Sequence, residues 1–120
     1  MKKTAKTKQP VPLEEDEQIA FVEWLETLDL TFSAINPNPG KQSYGTQAKN
    51  KRLGLRAGLP DFLIAIPNKY LIFVEMKRTK GSSTSQAQKD WIDTLNTIPN
   101  VECRVCKGCS EAIKFIREII

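Results

Sequence analysis

Asp61, Glu75 and Lys77 are the residues of this chain whose types and spacing are best suited to chemistry. Two carboxylates that lie close together repel each other unless a positive charge sits between them. A hard divalent cation such as Mg²⁺ meets this need, because it binds one or two carboxylates and keeps positions for water and phosphate oxygens. A neighbouring lysine can orient or deprotonate a water, or stabilise charge on a phosphate. The alternative is a structural ion pair between Lys77 and Glu75.

A β-hairpin would bring these three side chains together. The runs 62–66 and 70–73 are apolar and rich in β-branched or aromatic residues, and a Pro-Asn-Lys segment separates them, which is typical of two strands joined by a turn. If Ile66 pairs with Tyr70, the two carboxylates lie opposite each other, with their Cβ atoms about 5 Å apart. The lysine follows the second carboxylate by two residues and points to the same face. This arrangement favours a metal site over an ion pair.

Basic residues flank the acidic pair in two stretches that contain no acid. Residues 40–60 carry five bases, and residues 77–89 carry four, of which Lys77 is one. A phosphodiester substrate needs this combination, with phosphates held by Lys and Arg and a cation at the scissile bond. The alternative is two solvated basic loops. The predicted DNA-binding residues are Lys41, Lys49, Lys51, Arg52, Arg56, Arg78, Lys80 and Lys89.

The other elements must hold this hairpin and complete a core. Periodicity and caps predict helices over residues 13–30, 47–53 and 85–95 and from Ser110 onward. Apolar or alternating runs predict further strands over residues 30–35 and 101–105, and the Asn-Pro-Asn-Pro-Gly segment 36–40 predicts a loop. The order α-β-α-β-β-α-β-α describes an α/β domain with a mixed β-sheet flanked by helices.

Two of these helices carry polar residues that have two explanations each. Acids crowd the start of the first helix, where the helix dipole favours them; alternatively, Glu14 and Gln18, one turn apart, both point at the metal site. Gln88 completes a capping box with Ser85, and this competes with a role for Gln88 in the site. The sequence leaves both alternatives open.

The composition is typical of one soluble globular domain. The chain has 120 residues with 40% hydrophobic and 27% charged residues, which suits a single domain over residues 13–120 preceded by a disordered basic arm over residues 1–12. The lysine-rich start lacks the apolar segment of a signal peptide, and no apolar run approaches a membrane span, so we expect a cytoplasmic protein. Histidine is absent, which excludes a histidine general base and a histidine-ligated zinc site.

The cysteines Cys103, Cys106 and Cys109 are spaced by two residues each. Such spacing occurs at zinc and iron–sulfur sites. Three thiols without a histidine leave a fourth ligand missing, however, and Cys103 alternates with two valines on the inward side of a strand. We therefore expect Cys103 to be a small packing residue, not a ligand.

Three sequence blocks, over residues 57–62, 73–77 and 85–91, together resemble the VRR-NUC domain family. Pro60-Asp61 followed by Glu75-Met76-Lys77 is similar to the PD-(D/E)xK nuclease signature, and the likeness runs from about Leu13 to the C-terminus. The resemblance implies a restriction-endonuclease-like core and metal-dependent phosphodiester hydrolysis. The VRR tripeptide of the family name is not found; residues 104–107 stand in its place.

The resemblance also implies roles for individual residues. Asp61 and Glu75 match the metal-binding carboxylates, the main-chain carbonyl of Met76 matches a further ligand, and Lys77 matches the catalytic lysine. On the flanking helices, Glu14 matches the acidic residue that the family carries on its first helix and is a possible further ligand, and Gln88 matches the family's glutamine on the helix after the hairpin, a member of the catalytic set. Glu15 and Glu17 are close enough in sequence to compete with Glu14.

The function implied by the resemblance is structure-selective cutting of DNA, with Mg²⁺ or Mn²⁺ as cofactor and no small-molecule cofactor. Small stand-alone members resemble Holliday-junction resolvases, so we expect branched DNA as substrate, a homodimer with two sites, and no membrane partner. A DNA-binding module without catalysis is the alternative, and it predicts salt-sensitive binding without metal dependence. A protein–protein adaptor is a third hypothesis, and it predicts no DNA binding at moderate salt.

Overall fold

A computed structural model describes residues 10–35 and 43–120 of the chain. Its elements are α1 (Glu14–Glu26), β1 (Thr31–Ala34), α2 (Tyr44–Arg52), β2 (Phe62–Ile66), β3 (Tyr70–Lys77), α3 (Gln86–Leu95), β4 (Val101–Lys107) and α4 (Cys109–Ile119). This is the predicted order, and the α/β class is confirmed. The predicted loop 36–40, Lys41 and residues 1–9 of the predicted arm lie outside the described residues. Within the described ranges, no helix is both long and apolar enough to cross a membrane.

The sheet is mixed, with strand order β1-β2-β3-β4. β2 pairs antiparallel with β1 and β3, whereas β4 runs parallel to β3. Ile66 pairs with Tyr70 and Phe62 with Val74, so the predicted hairpin register is confirmed. Extending this register by one residue beyond Phe62 places Asp61 opposite Glu75.

The two faces of the sheet have different surroundings. Ile72, Val74 and Met76 alternate along β3 and are fully buried in the core that includes residues of α1 and α4. Glu75 and Lys77, between and after them, point to the opposite face, where α3 lies. The fold therefore separates an apolar core on one face from the polar candidate site on the other.

The bounds of α1 and α2 differ from the predicted ones. α1 ends at Glu26, four residues before the predicted end, and Asp29 adopts a left-handed φ of 54°. On this helix Ile19 is 51% exposed, whereas Phe21 and Leu25 are fully buried. α2 begins at Tyr44, three residues before the predicted start, because the Ser43 hydroxyl accepts a hydrogen bond from the Thr46 amide at 3.2 Å.

The start of α4 corrects the prediction that Ser110 is its N-cap. Gly108 takes this position with φ of 90° and has no capping side chain. The Cys109 amide donates instead to the Glu17 carboxylate at 2.8 Å. The helix can begin before Ser110 because a residue of α1 satisfies an exposed backbone donor that a local cap would otherwise satisfy.

Candidate active site

Asp61 is fixed to the backbone of the strand that carries the other two site residues. Its Oδ2 accepts a hydrogen bond from the Met76 amide at 2.7 Å. Because Met76 stands between Glu75 and Lys77, this bond places the Asp61 carboxylate against both side chains. The predicted meeting of the three residues is what the structure shows.

The main-chain carbonyl of Met76 receives no strand hydrogen bond from Pro60. Extending the register of β2 and β3 by two residues beyond Phe62 and Val74 places Pro60 opposite Met76. In a hydrogen-bonded antiparallel pair, each residue donates one backbone hydrogen bond to the other and accepts one from it, but proline has no N–H to donate. Pro60 therefore cannot donate a strand hydrogen bond to the Met76 carbonyl, which agrees with the predicted role of this carbonyl as a metal ligand.

Glu75 lies in an environment that disfavours its negative charge. The residue is only 4% exposed, and its Oε1 is buried with no hydrogen-bond partner. Burial, and secondly the charge of Asp61, raise the pKa of Glu75 to about 7. Burial also raises the pKa of Asp61, although the Met76 amide and the Lys77 charge act against this. The site thus holds two desolvated carboxylates close together, and one oxygen of Glu75 has no hydrogen-bond partner.

Lys77 and Gln88 join the carboxylates in one hydrogen-bonded group. The Lys77 Nζ donates to the Gln88 Oε1 at 3.0 Å and lies 3.5 Å from the Glu75 Oε2. The Gln88 Nε2 donates to the same Glu75 oxygen at 2.8 Å. The side chains of this group are therefore oriented by one another as well as by the sheet.

Gln88 forms the predicted capping box and also contacts the side chains of the candidate site. Its Oε1 accepts from the Ser85 amide at 2.9 Å, and the Ser85 hydroxyl accepts from the Gln88 amide, which completes the predicted capping box. The same side chain contacts Glu75 and Lys77. The cap holds the amide group in the rotamer that reaches the site.

Glu14 and Glu17, the two alternatives for the acidic site residue on the first helix, have different surroundings. The charges of Asp61 and Lys77 both act on Glu14, and burial is the main cause that raises its pKa. The Glu17 Oε1 accepts from the Cys109 amide and so belongs to the contact between α1 and α4. The structure thus places Glu14 beside the site and commits Glu17 elsewhere; it gives Gln18 no described contact with the site.

Gly58 and Trp91 position α3, although the sequence did not predict this role. A Cβ on Gly58 would lie 2.5 Å from the Ala87 carbonyl carbon and 2.8 Å from the Gln88 amide nitrogen, and φ is +93°. The Trp91 Nε1 donates to the Ala57 carbonyl at 3.1 Å. The segment before Asp61 and the start of α3 therefore approach so closely that only glycine fits. The glycine that precedes Leu-Pro-Asp is the sequence feature from which a close backbone approach could have been predicted.

The predicted DNA-binding residues fall into three groups. Lys49, Lys51 and Arg52 lie on α2, a helix without a buried residue. Lys80 and Lys89 are exposed near α3, whereas Lys41 lies outside the described residues. The two remaining arginines bind backbone carbonyls: Arg56 contacts Lys51 and Leu55, and Arg78 contacts Val11 and Pro12.

The cysteines do not form a ligand set. Cys103 and Cys106 are buried, as predicted for Cys103, and burial raises the pKa of both thiols to about 12. In the described parts of the chain, no three Cys, Asp or Glu side chains converge in a way that would hold a metal ion.

A hard divalent cation fits the donor set of the site. Two carboxylates and one main-chain carbonyl supply only oxygen, and Mg²⁺ in proteins commonly takes one or two carboxylates and keeps several waters. A cation beside the unpartnered Glu75 Oε1 would also satisfy that atom and remove the repulsion between Asp61 and Glu75. The residues present therefore fit the metal that the signature implies.

Comparison with known proteins decides the family. A family model described as the VRR-NUC domain matches residues 4–110. The chain belongs to the VRR-NUC family. A solved structure described as a VRR-NUC domain protein is 25% identical, with a TM-score of 0.70, and the match covers 93% of this chain and 91% of that one.

A second solved structure, described as a VRR-NUC domain, shares the fold. It is 20% identical with a TM-score of 0.64, and the match covers 89% of this chain and 97% of that one. A search of curated protein sequences gave no match. The VRR-NUC assignment confirms the resemblance, and it gives the chain a nuclease-type fold with a four-stranded mixed sheet.

Proposed function

We propose that this VRR-NUC domain is a Mg²⁺- or Mn²⁺-dependent endodeoxyribonuclease that cuts branched DNA such as Holliday junctions. The observation that carries the proposal is the buried, unpartnered Glu75 Oε1 beside a second desolvated carboxylate and a lysine. A structural ion pair explains Lys77 and one carboxylate, but it does not explain why Asp61 is also held there.

Asp61, Glu75 and the Met76 carbonyl would hold the cation. When bound, it would polarise the scissile phosphate and lower the pKa of a coordinated water. Lys77 orients or deprotonates the attacking water, or stabilises charge that develops on the phosphate. Gln88 holds the Lys77 and Glu75 side chains in fixed positions through its two hydrogen bonds. Glu14 adds a further carboxylate at the edge of the site.

The exposed cations supply the contacts with the DNA backbone. α2 carries Lys49, Lys51 and Arg52 without a buried residue, and Lys89 is exposed on α3. The segment that connects α2 to Asp61 approaches α3 at Gly58. Contacts with the DNA backbone give affinity without sequence preference, which agrees with selection by DNA shape.

The test is cleavage of four labelled DNAs: a four-way junction, a flap, a splayed arm and a plain duplex. Each is incubated in Mg²⁺, Mn²⁺, Ca²⁺ or EDTA with the wild type, Asp61→Ala and Lys77→Ala. Lys69→Ala is the matched control, because Lys69 is an exposed lysine in the turn at the opposite end of the hairpin. We expect Mg²⁺ or Mn²⁺ cleavage in wild type and control, none in the site variants, and preference for the junction.

Two results would contradict this proposal in different ways. If the wild type binds these DNAs but cuts none in any metal, the chain is a DNA-binding module without catalysis. If Asp61→Ala or Lys77→Ala still cuts at the wild-type rate, catalysis resides elsewhere.

We also propose that the protein acts as a C2 homodimer, because a four-way junction presents two strands that must be cut. Leu71, on the sheet face that carries Glu75, is 37% exposed, and Ile98, in the turn before β4, is 45% exposed. The turn is tied to β3 by the Leu71 amide, which donates to the Asn100 carbonyl. Light scattering coupled to gel filtration should give a dimer mass for the wild type and a monomer for Leu71→Glu/Ile98→Glu. A monomeric wild type would contradict the dimer but not the nuclease.

A further inference from the structure

Arg78 makes a two-pronged contact with the segment that leads into α1. Its Nη2 donates to the Val11 carbonyl at 3.1 Å, and its Nε donates to the Pro12 carbonyl at 3.3 Å. Two donors of one planar guanidinium thus bind two successive carbonyls. A lysine cannot reproduce this geometry, because its ammonium is a single point donor group.

The direction of this side chain separates it from the adjacent site lysine. β3 ends at Lys77, whose Nζ reaches Gln88 on the α3 side of the sheet. Arg78 follows directly, after the end of the strand, and its guanidinium contacts the Pro12 and Val11 carbonyls. Its guanidinium therefore faces the segment that leads into α1.

α1 has no local device that fixes its start. Leu13 occupies the N-cap position and makes no side-chain capping bond, since leucine has no polar atom to offer. Arg78 holds the two residues before Leu13, and Glu17 ties the next turn to the Cys109 amide. Glu14, the first residue of the helix, lies between these two anchors.

We propose that Arg78 is a positioning residue that fixes the entry of α1, and thereby Glu14, beside Asp61 and Glu75, and that it is not a phosphate contact. The part of this inference that concerns the metal rests on the proposed function. The part that concerns the start of α1 stands on the hydrogen bonds alone, so the two can fail separately.

The experiment compares Arg78→Ala and Arg78→Lys with Lys80→Ala, a matched control that removes an exposed neighbouring charge. The first readout is hydrogen exchange of the Glu17 amide without metal, because this amide bonds to the Leu13 carbonyl and opens when the helix start frays. We expect exchange at least tenfold faster in both Arg78 variants, roughly the effect of losing a hydrogen-bonded anchor of modest strength, and wild-type exchange in Lys80→Ala.

The second readout is Mn²⁺ affinity by calorimetry in the absence of DNA. Residues that orient metal ligands typically change affinity by roughly tenfold or more. We expect such a loss in Arg78→Ala and in Glu14→Ala, and no further loss in the double variant, because both changes act through one carboxylate. Binding of the four-way junction in Ca²⁺ should weaken in Lys80→Ala and keep its wild-type salt dependence in Arg78→Ala.

Two outcomes would overturn the inference. One is wild-type exchange at Glu17 in both Arg78 variants. The other is unchanged Mn²⁺ affinity with DNA binding lost in Arg78→Ala and retained in Arg78→Lys, which identifies a phosphate contact. Circular dichroism checks folding, and Arg78→Lys carries the test alone if Arg78→Ala does not fold. A wild type that binds no Mn²⁺ would remove the metal site of the proposed function, while the exchange comparison would still decide the role of Arg78 at α1.

Discussion

The carboxylate site and α2 are two polar regions built in opposite ways. At the site, Glu75 and Lys77 are buried, and Met76, Gln88 and the sheet fix the side chains by hydrogen bonds. On α2, no residue is buried and three cations stand in solvent. The first arrangement suits chemistry, which needs reacting groups in fixed geometry. The second suits DNA phosphates, which long-range charge attracts without a fixed geometry.

This contrast has an energetic consequence. Burying two carboxylates together costs stability unless a cation compensates them. Exposed lysines on a helix cost almost no stability, because water solvates their charges. We therefore expect changes at the site to alter catalysis and stability together, and changes on α2 to alter only DNA affinity. The following predictions test this separation.

The largest effect is expected from Glu75→Gln. The amide keeps the shape of the side chain and can still accept the Gln88 hydrogen bond, but it removes the negative charge of the proposed metal ligand. Cleavage should fall by at least about 10²-fold, as when one preorganised electrostatic group is lost, while the thermal midpoint in EDTA at pH 8 should rise, because a buried charge is removed. Cleavage rates and thermal melts measure both. Retained cleavage would show that the buried charge is not required.

Gly58→Ala should have the next largest effect, because its Cβ would overlap the Ala87 backbone and Gln88 amide. Strain at positive φ costs about 1–3 kcal/mol, and overpacking adds about 1–3 kcal/mol. Gly54→Ala is the matched control: φ is +104°, but nothing lies within 4 Å of its Cβ, so only the strain should appear. Urea unfolding gives both free energies. Equal losses in the two variants would contradict the close approach at α3.

Replacing Lys49, Lys51 and Arg52 by glutamine should weaken DNA binding without altering the metal site. Each phosphate contact contributes about 0.9 to the slope of log affinity against log salt, so the slope should become shallower by up to about 3 units. Binding of labelled junctions in Ca²⁺ over a salt series measures this. The control is Lys69→Gln/Lys114→Gln, away from α2. A changed Mn²⁺ affinity in the α2 variant would break the proposed separation.

The smallest effect is a pH dependence of stability that originates at the site. The pKa of Glu75 is raised from 4.5 to about 7, so the folded state holds a proton that the unfolded state releases in this window. Stability without metal should therefore fall as pH rises from 4.5 to about 7, by linkage. Mg²⁺ should stabilise more at pH 8 than at pH 5, because it competes with the proton.

Thermal melts over this pH range, with EDTA or Mg²⁺, check this prediction. Glu75→Gln should flatten the metal-free profile, and the α2 variant should leave it as in wild type. A wild-type profile that rises over the window would contradict the raised pKa.

The sequence predicted the site most reliably where short-range rules operate. A short turn between two apolar runs fixed the hairpin register, and Ser85 with Gln88 formed the expected capping box. The start of α4 was wrong because Ser110 is a good local cap, whereas Glu17, far away in sequence, binds the Cys109 amide. The charge of Arg78, on which its predicted DNA contact rests, is visible in the sequence, whereas its contacts with the Val11 and Pro12 carbonyls are not.

By itself, the sequence determined the order of elements, the facing carboxylates and the lysine beside them, because alternation, turns and caps depend on neighbouring residues. Only the tertiary structure decided between Glu14 and Glu17. The two acids lie one turn apart on one helix and are equivalent to any local rule. Packing of α1 against α4 commits Glu17 to a backbone amide and leaves Glu14 near Asp61, since contacts between distant segments depend on how whole elements dock.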